Sequence, residues 1–186
     1  MALALDQITA LFHAQGAVQY GSEAINQQQH ALQCAHLAER SGAAPALIVA
    51  ALLHDLGHLL APGVLAQAAK ADDVHQYVAI PFLRGLFPDA VIEPIRMHVD
   101  AKRYLCRMDK HYWANLSPKS QRSLVVQGGP FSKDESARFM AQAFATDAVA
   151  LRRWDDCAKN PAATPPDWAH YLIVLESARG LMDAAA

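Results

Sequence analysis

Apolar residues recur at intervals of three and four along almost the whole chain, while sustained two-residue alternation is scarce, so the pattern predicts an all-α protein. Start and stop signals divide that pattern into segments. Ser22 caps one that runs to Arg40 and ends at Gly42; Pro45 stands near the start of a second, Ala46 to Leu56, closed by Gly57. A third runs from Asp72 to Arg84 and stops at Gly85, with Pro81 expected to kink or shorten it. Asp89 caps Ala90 to His98, and Ala101 to Arg107 reads as a separate short helix. Ser117-Pro118 opens the next, Gln127-Gly-Gly-Pro130 is a turn, and Ser132 with Glu135 fits a capping box. Thr146 caps a segment through Lys159, and the stiff loop Pro161 to Pro166 precedes a last helix from Asp167 to about Leu181.

The 186 residues are the length of one ordinary domain, and no repeat or linker divides them, so residues 1–186 are read as a single domain. A hydrophobic share of 53% can fill a core, and a net charge of -2 without clustered basic residues argues against both disorder and a nucleic-acid partner. The apolar stretches Ala43 to Leu53 and Val78 to Phe82 fall far short of the ~20 residues that span a bilayer. Met1 to Asp6 lacks the basic and apolar segments of a signal peptide, so a cytoplasmic protein, favoured as a monomer, is expected. Cys34, Cys106 and Cys157 form no Cys-x-x-Cys; they fit a reducing compartment and read as small core hydrophobes.

The candidate chemistry lies among nine histidines. His54-Asp55 sits near the end of the aliphatic run Ala50-Ala-Leu-Leu-His-Asp-Leu-Gly-His58, where a carboxylate is costly to bury unless it is paired or bound to a cation. Neighbouring helix positions point about 100° apart, so the pair can grip one ion from two directions and the carboxylate can bridge to a second. His58 lies one turn beyond His54 and reaches the mouth of the same site. A buried ion pair explains His54 and Asp55 equally well when they are taken alone. Other helices supply His30, His75, His98 and Asp155, and such side chains can converge in the core of a bundle, as helical di-iron sites do.

The order His30, His54-Asp55, His75, His98, Asp155 resembles the His-Asp (HD) domain superfamily, in the branch that binds two metals. The blocks Tyr20 to His30, Ala50 to His58, His98-Val-Asp-Ala-Lys-Arg-Tyr104, Gln127 to Pro130 and Arg152-Arg-Trp-Asp155 look like the mixed-valent di-iron oxygenases of that superfamily. Their activity is cleavage of 2-amino-1-hydroxyethylphosphonate to glycine and phosphate, and neighbouring enzymes handle N-methylated analogues. The resemblance covers about residues 20 to 156. It implies an HD-domain helical bundle, two iron ions as an Fe(II)/Fe(III) pair, O2 as co-substrate and an organophosphonate as the small-molecule partner.

Carried over residue by residue, the resemblance gives His30, His54, Asp55 and Asp155 to one iron, and Asp55, His75 and His98 to the other. His58, Lys102, Ser120 and Arg152 match positions that hold the phosphonate, a dianion suited to charge-assisted donors. Tyr20 and Glu23 match a tyrosine that occupies an iron position until substrate arrives and a glutamate that pairs with the substrate's ammonium group. Blander readings stand beside these: solvated surface cations for Lys102 and Arg103, helix-start composition around Ser120, and a dipole-favoured glutamate in a first helical turn for Glu23. Arg103 and Arg153 read as structural or surface residues. A metal-dependent phosphohydrolase is the alternative activity, since the same ions can activate water. A degenerate, non-enzymatic HD module is the third reading, disfavoured because every expected ligand is present. Gly63 to Ala71 and Phe131 to Thr146 fall outside the matching blocks, as lids or as loops and packing helices.

Overall fold

Pro45-Ala-Leu-Ile-Val-Ala-Ala-Leu-Leu53 has no polar face, and in the computed structural model it forms the central helix, with every residue from Ile48 to Leu53 buried. The structure describes residues 3–20, 23–60 and 74–183. Among them the helices are α1 Leu5–Gln15, α2 Gln27–Arg40, α3 Pro45–Leu53, α4 Leu56–Leu60, α5 His75–Leu83, α6 Asp89–Met108, α7 Tyr112–Asn115, α8 Pro118–Val126, α9 Lys133–Met140, α10 Ala145–Cys157 and α11 Trp168–Asp183. The extended pairings found among the described residues are two isolated bridges, Gln19 with Asn26 and Arg84 with Phe87.

Helix α3 packs against α2, α6, α10 and α11, while α10 also lies along α6 and α4 along α5. One apolar cluster runs from Ile8 and Phe12 through α3 to Tyr171, Leu175 and Ala178. Each such side chain, taken out of water, contributes about 1.5–3 kcal/mol, offset by the entropy of ordering it. A second cluster joins Met97 and Ala101 to Phe131 and Phe139, so the segment expected at 131–146 as a lid or packing helix is a packing helix, α9. Gly63 to Ala71 lies outside the described residues.

Several boundaries differ from the sequence expectation. Helix α2 starts at Gln27, where Asn26 and Gln29 cap each other's backbone amides at 2.7 and 2.9 Å; Ser22 lies outside the described residues. Glu23 therefore precedes the helix, and the dipole explanation for it fails. The expected helices 90–98 and 101–107 are one, α6, because Val99, Ala101, Lys102 and Leu105 extend the buried face already begun by Val91 and Ile95. Helix α5 continues past Pro81 to Leu83, and α10 begins after Phe144, leaving Thr146 inside it. Helix α1 was not anticipated. Cys34 is buried as expected, but Cys157 is exposed at the end of α10.

The expected stop at Gly57 is an error of mechanism as well as position. Helix α3 ends at Leu53, His54 and Asp55 form a turn, and Gly57 is inside α4. A Cβ there would lie 2.1 Å from the His75 carbonyl oxygen, so glycine is needed for close approach to the start of α5. Gly57→Ala is expected to force α4 and α5 apart, destabilise the protein by about 1–3 kcal/mol and lower metal content. Thermal unfolding and metal analysis of the variant check this; unchanged values would contradict the packing.

Candidate active site

The break after α3 leaves His54 and Asp55 in the middle of the bundle, and four other helices converge on them. Asp55 faces two ways. Its Oδ2 lies 3.8 Å from His30 Nε2 of α2 and 3.6 Å from His54 Nε2, while its Oδ1 lies 3.3 Å from His75 Nε2 of α5 and 3.9 Å from His98 Nε2 of α6. Asp155 of α10 completes the first group, at 3.4 Å from His30 Nε2 and 3.9 Å from His54 Nε2. All six side chains are buried.

Backbone carbonyls set the tautomers. His30 Nδ1 donates to Ala158 O at 2.8 Å, His54 Nδ1 to Ala51 O at 2.9 Å, and His98 Nδ1 to Ile95 O at 2.7 Å. Each of these imidazoles thus turns an Nε2 lone pair inward, the orientation a second-shell carbonyl gives to a metal ligand. His30 and His54 Nε2 stand 3.4 Å apart with no proton to share, beside two carboxylates. Such a donor set is resolved by a cation. Asp55, His75 and His98 form a second group whose ligand atoms all lie within 4.8 Å of one another. Cys34 Sγ lies 3.6 Å from His30 Nε2 and forms with His30 and His54 a group whose ligand atoms all lie within 4.8 Å of one another; burial, then the carboxylates Asp155 and Asp55, push its thiol well up.

Protonation follows the same geometry. Burial, then His75 and His54, hold His98 well below the ordinary histidine value, and burial holds His54 down. Burial alone would raise both carboxyls; Arg152 more than reverses this at Asp155, and His54 and His75 do so at Asp55. Two carboxylates thus stand beside His54 and His98, both held toward the neutral form that metal binding requires. Because the folded value of His98 is depressed, its contribution to stability is complete above the unfolded value of about 6.5 and is lost as pH falls below it. The melting temperature of metal-depleted protein is expected to decline from pH 7 to pH 5, and a flat profile would contradict a neutral buried His98.

Cationic side chains stand beside the carboxylates, with Arg152 in contact with Asp155 at 2.8 Å. A cavity of about 40 Å³ is lined by Tyr20, Asp55, His58, His75, His98 and Asp155 together with Lys102, Lys119, Ser120, Ser123, Gln127, Arg152 and Lys159. Residues 28–127 match the HD domain model. The chain is 42% identical over 179 residues to a hydroxymethylphosphonate dioxygenase of Gimesia maris, covering 92% of this chain and 88% of that protein. It is 34% identical over 170 residues to a 1-hydroxy-2-(trimethylamino)ethylphosphonate dioxygenase (glycine-betaine-forming) of Leisingera caerulea, covering 91% of this chain and 87% of that protein. The chain belongs to the HD-domain family.

In this HD-domain protein the sequence-derived residues converge, with one at a distance. The Tyr20 ring stacks on His30 at 3.8 Å, its hydroxyl is 3.5 Å from Asp155 Oδ1, and burial with the two carboxylates pushes its phenol well up. His58 stacks on His75 at 4.4 Å. Lys102, buried on α6, donates to Ser123 Oγ at 2.8 Å. Arg152 bonds Asp155 at 2.8 Å and also grips Asp156 and Tyr112, so its guanidinium braces a metal-side carboxylate as well as facing the cavity. Glu23 does not line the cavity; its carboxylate meets Lys159 at 3.9 Å. Arg103 is structural, donating to the Gly129 carbonyl at 2.8 Å where Gly128 and Gly129 take positive φ.

Sequence reasoning missed Lys119, Ser123, Gln127 and Lys159 as wall residues. Gln127 to Pro130 is expected as a turn or as backbone close to the pocket; it is the Gln127 side chain that lines the cavity, and its Oε1 is buried without a partner among the described residues. A helical count from Ser120 to Ser123 and Gln127, one face of α8 and its end, is the signal that could have found two of them.

Proposed function

We propose that this HD-domain protein cleaves the carbon–phosphorus bond of a 1-hydroxyphosphonate at the expense of O2. The balanced reaction is 1-hydroxyphosphonate dianion plus O2 giving carboxylate, hydrogenphosphate and a proton; the carbon rises to the acid level as O2 is reduced. The observation that carries this reading is a cavity lined both by Asp55, His75, His98 and Asp155 and by Lys102, Lys119, Arg152 and Lys159. That arrangement suits a small dianion whose reacting carbon must lie beside metal. The names of the two relatives support the same class of substrate and reaction.

In this reading His30, His54, Asp55 and Asp155 would hold one iron, and Asp55, His75 and His98 the other. A mixed nitrogen and carboxylate donor set suits iron, and three protein ligands on the second ion leave positions open. Bound there, an Fe(II)/Fe(III) pair would supply the redox chemistry that activates O2. The chain's own residues bind and orient. Lys102, Ser120 and Arg152 would receive the phosphonate oxygens, with His58 at the mouth. Tyr20, a protonated phenol beside Asp155, would guard the first metal position and give way to substrate; Glu23 would stand toward the substituent on the reacting carbon. The sequence expectation of 2-amino-1-hydroxyethylphosphonate, or an N-methylated form, belongs to this class.

The same reading treats residues 1–186 as one domain acting in the cytoplasm as a monomer, without nucleic-acid or membrane partners. Near-balanced charge supports the absence of a nucleic-acid partner, and among the described residues no helix is long and apolar enough to cross a membrane. Iron-loaded protein with a mild reductant and a 1-hydroxyphosphonate should consume O2 and release phosphate in equal amounts. Phosphate released without O2 would replace the reading by a phosphohydrolase.

A further inference from the structure

We infer that the first metal group also takes a thiophilic ion, zinc above all, with Cys34 as a ligand beside His30, His54 and Asp155. The inference rests on the metal-holding role of that group in the reading above, and not on the phosphonate chemistry.

The iron assignment leaves one buried thiol at the site unused. Cys34 follows His30 by one turn of α2, so the two side chains leave the same helix face. Its Sγ stands 3.6 Å from His30 Nε2, and the His30 and His54 Nε2 atoms stand 3.4 Å apart. Zinc bonds of ~2.3 Å to sulfur and ~2.05 Å to nitrogen, set at the tetrahedral angle, place sulfur and nitrogen about 3.6 Å apart and two nitrogens about 3.3 Å apart. The same bonds at the right angles of an octahedron would bring the nitrogens to about 2.9 Å. The observed spacings are those of the tetrahedral set. Asp155 Oδ1, 3.4 Å from His30 Nε2, supplies a fourth donor at nearly the same separation.

Burial and the two carboxylates favour the protonated thiol, but a divalent ion inverts that balance and deprotonates a coordinating thiol outright. The metal–sulfur bond replaces the sulfur–hydrogen bond and the proton leaves to solvent, with no oxidant needed. A thiolate adds affinity for soft ions over hard ones. Zinc has no redox chemistry, so its occupancy withholds the O2 step that an iron pair would supply.

Cobalt(II) titrated into the metal-depleted full chain tests this without turnover, because a cobalt–thiolate bond gives an intense near-ultraviolet charge-transfer band that nitrogen and carboxylate ligands do not. Wild type is expected to develop the band, and so is Cys106→Ser with Cys157→Ser, in which Cys34 is the only thiol left. Cys34→Ser should bind cobalt without it. In competition between zinc and iron(II), the preference for zinc should be about tenfold smaller in Cys34→Ser than in wild type. A thiol that merely fills core space would produce no band and leave the preference unmoved. Cobalt bound without the band by wild type and the double variant, or the band retained in Cys34→Ser, would overturn this inference alone. Should Cys34→Ser fail to fold, the double variant decides by itself. Failure of wild type to bind cobalt at all would overturn the metal reading of the group and this inference with it.

Discussion

Asp55→Ala is expected to bind neither metal ion, although each ion would keep all its other ligands. Oδ2 of Asp55 faces His30 and His54 while Oδ1 faces His75 and His98, so a single truncation removes a carboxylate oxygen from both groups at once. A bridging carboxylate also keeps two cations from repelling one another across a short distance, and neutral imidazoles cannot take over that role. His75→Ala gives the contrast, because it removes a ligand from the second group only. Iron analysis after gel filtration should therefore find two ions in wild type, one in His75→Ala and none in Asp55→Ala. Two ions retained by Asp55→Ala would end the bridging assignment. Far-ultraviolet circular dichroism should be unchanged, since helices α2, α3, α6 and α10 are held by apolar contacts that Asp55 does not make.

The second large effect is expected from Arg152→Ala, and it should appear in stability as well as in substrate binding. The guanidinium is buried and is shared between Asp155, Asp156 and Tyr112; Asp155 and Asp156 hold it charged even though burial opposes the charge. Removing it leaves Asp155 buried without its strongest partner and releases Asp156. Breaking a buried ion pair by deleting one member typically costs ~3–5 kcal/mol. For a domain of this size, that corresponds to a melting temperature lower by roughly 6–20 °C. The measurement belongs on metal-depleted protein, where loss of metal affinity cannot contribute. An unchanged melting temperature there would mean that the pair carries no net stabilisation. On metal-loaded protein the same variant should bind a 1-hydroxyphosphonate more weakly than Arg152→Lys, which retains the charge but loses the fork.

These two residues show where sequence reasoning reaches its limit. His54 and Asp55 are legible because they are adjacent, and because two polar residues in an aliphatic run call for an ion or a partner. Arg152 is legible as a cation three positions before Asp155, but its brace on Asp156 is a matter of helix register, and the hydrogen bond it donates to α7 goes to the Tyr112 hydroxyl, which no motif marks. The all-α architecture was legible throughout, from spacing alone. Its boundaries were less so: Gly57 reads as a helix stop, and its actual reason is the His75 carbonyl across the α4–α5 contact, which local sequence does not contain. The division of α6 into two helices failed because a polar Asp100 interrupts the sequence pattern without interrupting the buried face.

By itself the sequence determined the helical class and the apolar helix α3, because periodicity is a local property that needs no partner to be read; the six side chains expected around metal came from the resemblance to the HD superfamily, with burial cost pointing only to His54 and Asp55. Only the tertiary structure decided that Asp55 faces both groups, that Arg152 is already engaged by carboxylates, that Lys119 lies over the Tyr20 ring and that Lys159 pairs with Glu23. Those facts depend on where side chains from α2, α8 and the end of α10 meet. Charges far apart in sequence cancel or add only once the fold sets the distance between them.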